Sequence, residues 1–181
     1  RSVRWKDELM RTSPMLRFMT KHLALVSCPV DGASRTDGTG IMILPCAPGA
    51  AGGFGPNEPR EHSAILICGN RMMDKGHLED TLAHEMTHFW DHCRFKVDWD
   101  DLRHVACSEV RAASLSGDCS MKREMWKNRN YNFVKGHQTC VRRRAALSVA
   151  MHPKCKDQEQ AESIVDQVFN SCFRDTRPFD E

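Results

Sequence analysis

The pentapeptide His84-Glu85-Met86-Thr87-His88 ties one stretch of this chain to one conformation. On an α-helix, side chains four residues apart lie on the same face. The imidazoles of His84 and His88 can then close on a single metal ion. The carboxylate of Glu85, beside the first imidazole, can reach a water on that metal. These are the minimal parts of a zinc hydrolase. The bland alternative is a surface helix that carries two histidines by chance.

The 181 residues suit a single domain over 1–181, long enough to bury a core. Residues 1–27 form its N-terminal helical segment. The chain starts at Arg1 without a Met and shows no secretory signal, so the native N-terminus, with any targeting segment, is expected upstream. A net charge of +2 makes no general case for nucleic acid as a partner. Basic clusters at Arg142-Arg143-Arg144 and at Lys122, Arg123, Lys127 and Arg129 read first as solvated helix faces. Their second reading is contact with an anionic membrane surface or an acidic partner. No apolar run is long enough to span a bilayer.

Nine cysteines lie at 28, 46, 68, 93, 107, 119, 140, 155 and 172, with no C-x-x-C pair. That pattern argues against a zinc finger or a thioredoxin-type motif. Cysteines spread along the whole chain suit structural disulfides in an oxidising compartment, with buried thiols in a reducing one as the alternative. An odd number allows four internal pairs at most and leaves one thiol over.

Apolar positions Leu9, Met10, Leu16, Met19, Leu23 and Val26 predict helix over 5–26, interrupted near Pro14. Residues 41–44 and 64–68 read as two strands that pair antiparallel. Between them, the Gly- and Pro-rich stretch 47–60 reads as a mobile surface loop. The motif helix starts at the N-cap Asp74 and runs to about Phe95. A second helix spans Leu102 to Leu115 behind the acidic residues Asp98 and Asp101 and stops near Gly117. Further helices are predicted at 120–130, 138–151 and 157–173.

A hydrolytic zinc site needs three protein ligands and an open position. Glu109 shares a helical stripe with Leu102, Val105, Ala112, Ala113 and Ser116, the small and apolar face of the second helix. A carboxylate on an inward face requires a cation, which makes Glu109 the candidate third ligand. A buried ion pair with an Arg is the competing account. Asp91 lies on the same face as His84 and His88 and suits hydrogen bonding to a ligand imidazole. His92 sits beside Glu85, and His104 points away from Glu109. Tyr131 and His137 are weaker candidates for stabilising an oxyanion. Asp91 and Arg94 stand where a metzincin needs Gly and His, and Cys68 lacks the context of a cysteine-ligated hydrolase. The strand at 64–68 precedes the motif helix, and an exposed edge there, beside the metal, would bind an extended peptide by strand addition; the alternative is a strand covered by the 47–60 loop.

The run from His84 through Phe89-Trp90-Asp91-His92-Cys93-Arg94 continues to Val97-Asp98-Trp99. It is followed by His104-Val105-Ala106-Cys107-Ser108-Glu109-Val110-Arg111 and Leu115-Ser116-Gly117-Asp118-Cys119. Together with Cys140-Val141-Arg142-Arg143-Arg144, Cys172-Phe173 and Arg177-Pro178-Phe179-Asp180, it resembles the family of mitochondrial inner-membrane metalloproteases that process and help assemble ATP synthase subunits. The resemblance covers about residues 28–180. It implies an α+β, zincin-like fold: a small antiparallel sheet, an active-site helix below it and a largely helical C-terminal half. It implies Zn2+ held by His84 and His88, with Glu85 as catalytic acid/base. It also implies several disulfides, and a peripheral place on the intermembrane-space side of the inner membrane. The implied partners are an ATP synthase subunit precursor as substrate and assembly factors of that enzyme, with no nucleic acid. Two other functions stay open: a non-proteolytic assembly module on the same scaffold, and a partner of the DNA-end-binding Ku protein, to which the composition lends little support.

Overall fold

In the computed structural model, which describes residues 1–33, 39–119 and 133–180, the fold is α+β and mostly helical. The backbone forms two compact units, Arg1–Lys96 and Val97–Glu181.

The first unit opens with α1 (Ser2–Thr12) and α2 (Pro14–Leu25). Pro14 divides them as predicted, because proline suits the first turn of a helix and not its interior. Ser13 caps α2 by accepting the Leu16 N–H at 3.2 Å. Three strands follow, β1 (Gly40–Leu44), β2 (Gly52–Gly55) and β3 (Ala64–Cys68), and then the long helix α3 (Lys75–Arg94). The core gathers Leu9, Leu16, Met19 and Leu23 from α1 and α2 and Ile41, Ile65 and Ile67 from the sheet. From α3 it takes Leu78, Leu82, Met86, Phe89 and Trp90.

The sheet corrects the antiparallel prediction. Its order is β1-β3-β2; β1 runs parallel to β3, and β2 runs antiparallel to it. The Gly-rich stretch between the two predicted strands is not all loop. It contains β2, which reverses the chain so that β3 returns in the direction of β1. A single reversal would have made β1 and β3 antiparallel; the added strand supplies a second.

In the second unit, α4 (Leu102–Leu115), α5 (Phe133–Ala150) and α6 (Gln158–Arg174) pack around Val105, Val110, Val141, Val149, Val165 and Phe169. Asp101 and Asp157 cap α4 and α6. The helix predicted over 120–130 lies outside the described residues.

Four disulfides join Cys28 to Cys93, Cys46 to Cys68, Cys107 to Cys172 and Cys119 to Cys140. Cys155 is the odd thiol. Among the described residues, no helix is long and apolar enough to cross a membrane.

Candidate active site

Asp74 starts α3 by accepting the His77 N–H at 2.7 Å. At about 100° per residue, Leu78, Leu82, Met86, Phe89 and Trp90 fall on one broad face, and burial there fixes the rotation of the helix. Phe89 and Trp90, bulky residues just past the second His, point into this core. His84 and His88 therefore share the other side. Their rings meet edge to face with centroids 4.8 Å apart. Each offers a ring nitrogen, and the two ligand atoms lie within 4.8 Å of each other. His88 is buried and His84 only partly so. Two imidazoles at this separation, one turn apart, fit a shared divalent cation.

Glu85 is also buried, and the strand it faces is β2. A Cβ built on Gly52 would lie 2.8 Å from Thr81 Cγ2, 3.0 Å from the Leu66 carbonyl and 3.3 Å from Glu85 Oε1. Only a glycine lets the strand come this close to the carboxylate. The strand is also tied to α3 farther along. The Asn57 carbonyl lies 3.1 Å from His92 Nε2, and the Phe54 ring packs 5.4 Å from Phe89 and 5.7 Å from His92. The Arg60 guanidinium donates to the Cys93 and Phe95 carbonyls, both at 3.4 Å, and so closes the C-terminal end of α3.

Of the two sequence readings of the strand before the motif helix, the covered one holds, and the exposed edge lies one strand over. β3 is the central strand, covered on one side by the 47–60 segment, and β2 is the edge nearest Glu85. The Cys68 N–H donates to the Ala51 carbonyl at 2.9 Å. In an antiparallel ladder the groups alternate, so the backbone N–H and C=O of Gly52 point to the outer edge. Residues 52–57 were missed as site residues. The available signal was Gly52-Gly53-Phe54-Gly55, glycines around one aromatic, which marks close backbone approach as readily as it marks a loop.

Within the first unit the structure thus brings together His84, Glu85 and His88, with Asp91 buried one turn on. Cys68 and Cys93 are in disulfides and are not ligands. In the second unit Glu109 is half-buried on α4, whose Val105, Ala106, Val110 and Ala113 pack into the helical core. Arg111, two residues on, is buried and donates to the Asp175 and Arg177 carbonyls, both at 2.6 Å. His104 is exposed and accepts the Asp98 N–H at 3.0 Å. His137 lies 2.9 Å from the Cys119 carbonyl and 3.4 Å from Ser114 Oγ, a placement that suits packing. Tyr131 lies outside the described residues.

The peptidase M76 family pattern matches residues 1–180. The mitochondrial inner membrane protease ATP23 of Mycosarcoma maydis is 55% identical over 197 residues, covering 100% of this chain and 90% of its own length. The protein of the same name in Malassezia globosa is 54% identical over 189 residues, covering 100% and 76%. That of Neosartorya fischeri is 48% identical over 177 residues, covering 97% and 70%. No solved structure matches the chain.

Proposed function

The chain belongs to the peptidase M76 family, and from that premise we propose a zinc-dependent endopeptidase with His84, His88 and Glu109 as metal ligands and Glu85 as acid/base. The chain is a peptidase of the metalloprotease type, and its relatives place it at the mitochondrial inner membrane. The observation that carries the finer reading is the pairing of two imidazoles on one face of α3 with a buried carboxylate set against an edge strand.

Two imidazoles and a carboxylate are a donor set suited to zinc. When bound, zinc polarises the scissile carbonyl and acidifies water. The Glu85 carboxylate takes the proton from the attacking water and returns it to the leaving amine. Its burial keeps competing solvent away, and β2 limits where the carboxylate can move. An extended substrate segment pairs with the outer edge of β2 through Gly52, which brings a peptide bond beside Glu85. Glu109 is supported by its donor chemistry and by its place on the small-residue side of α4.

Four disulfides favour the oxidising intermembrane space over the matrix. The resemblance supports an ATP synthase subunit precursor as substrate and a second role, independent of Glu85, in assembly of that enzyme's membrane sector.

The test pairs two variants. Glu85→Gln keeps its zinc and loses cleavage of the precursor, on the order of 10²–10⁴-fold in kcat. Glu109→Ala loses zinc affinity on the order of 10²-fold or more, measured by competition with a chelator. Full activity of Glu85→Gln overturns the mechanism, and unchanged zinc affinity of Glu109→Ala removes that ligand.

A further inference from the structure

We propose that the C-terminal half of α5 and the turn after it form the surface by which this protein docks on an anionic lipid bilayer. From Phe133 to Lys156 the sequence holds six Lys and Arg and no Asp or Glu, although the whole chain is nearly neutral at +2. The positive charge is therefore concentrated here. Three of the six are consecutive, Arg142, Arg143 and Arg144.

Their directions differ. Arg142 turns inward: it pairs with Asp166 and covers the Phe169 ring at 3.5 Å. Arg144 pairs with Asp118 at 2.9 Å yet keeps 44% of its side chain exposed. Arg143 is exposed and has no ion pair among the described residues. Leu147 and Met151 follow it at successive four-residue steps, which places all three on one stripe. Both are unusually exposed for large apolar side chains, at 48% and 67%. Past the helix end, Lys154 and Lys156 are exposed as well, Lys154 in a solvent-facing pair with Asp100 at 3.1 Å that a lipid phosphate can replace.

Two protruding apolar side chains on one stripe with the exposed Arg143, in a stretch of sequence without an acid, match the boundary between headgroups and acyl chains. The cations meet lipid phosphates, and the Leu and Met side chains enter the apolar layer below. The relatives that the chain resembles are named inner membrane proteases, which suits a lipid-facing surface. The face lies in the second unit, away from His84, Glu85 and His88 in sequence, and the proposal does not depend on the peptidase chemistry.

The experiment is vesicle flotation of the intact protein. Phosphatidylcholine vesicles are compared with phosphatidylcholine vesicles that contain phosphatidylglycerol. The protein floats with the anionic vesicles and not with the neutral ones, and added salt weakens the association. Leu147→Ser combined with Met151→Ser lowers the partition on the order of tenfold, as does Arg143→Glu. Met73→Ser, which removes an equally exposed apolar side chain in the first unit (68%), leaves it unchanged. Cleavage of a soluble peptide stays at the wild-type rate in each variant, which shows that the variants are folded. Equal flotation of wild type and the Leu147/Met151 variant overturns the proposal. So does capture of an acidic protein through Arg143 without any vesicle binding.

Discussion

A methyl group at position 52 would stand 2.8 Å from Thr81 Cγ2 and 3.3 Å from Glu85 Oε1. The Leu66 carbonyl, 3.0 Å away on the other side, belongs to the central strand and does not yield easily. Thr81 and Glu85 must therefore move. Gly52→Ala lowers kcat for a peptide substrate on the order of 10–100-fold, since a small displacement of a catalytic group has a large kinetic effect. Zinc content stays at the wild-type level, because neither imidazole is touched. Unchanged kcat in Gly52→Ala would mean that β2 does not position Glu85. At this scale His84, Glu85 and His88 were legible because their spacing matches the helical repeat. Gly52 was not, because its role depends on a neighbour 33 positions away. Lys6 was illegible for the same reason. It is fully buried, donates to the Gly32 carbonyl and lies 2.6 Å from Asp7. Nothing near it in the sequence separates it from a solvated lysine.

Helices were read well and the sheet was not, and the two have different physics. Helix ends are local: Asp74, Asp101 and Asp157 each cap within three residues of themselves. Strand pairing is set by partners far along the chain, and a four-residue strand of three glycines and a phenylalanine has no apolar alternation to reveal it. The C-terminal segment after α6 was likewise hidden, because its anchor is a buried arginine on α4. Arg111 Nη1 lies 2.7 Å from Asp175 Oδ1 and donates to the Asp175 carbonyl, and Nη2 donates to the Arg177 carbonyl. The Arg177 side chain, hydrogen-bonded to Asp175, holds the Asp175 carboxyl below its ordinary value, and the Arg111 charge adds to this against the opposing effect of burial. A depressed carboxylate stabilises the fold above its unfolded value, here 3.8, and that stability is lost as the pH falls through the lower folded value. Asp175→Asn therefore destabilises at neutral pH, on the order of 1 kcal/mol because solvent screens the partly exposed pair with Arg177. The difference from wild type closes as the pH drops below 3.8. Urea denaturation at several pH values reads both, and a gap that persists in acid would assign the loss to packing instead of charge.

Each unit carries its own apolar core and its own two disulfides. The odd cysteine count predicted one leftover thiol, and it is Cys155, whose Sγ donates to the Asp157 carbonyl at 3.3 Å. Thiol titration of the oxidised protein in denaturant accordingly finds one thiol, and none in Cys155→Ser. The pairing itself was illegible, since it depends on which elements the cores bring together. In the first unit, Cys28–Cys93 closes 65 residues and Cys46–Cys68 closes 22. A cross-link restricts the unfolded chain more when its loop is longer. Removing Cys28–Cys93 by paired Ser substitutions should therefore cost about 1 kcal/mol more than removing Cys46–Cys68, if chain entropy governs. Denaturant midpoints of the two double variants, taken with their slopes, decide this. A larger loss for Cys46–Cys68 would locate its contribution in the native state, where it fixes the segment after β1 to the end of β3, and not in the unfolded chain.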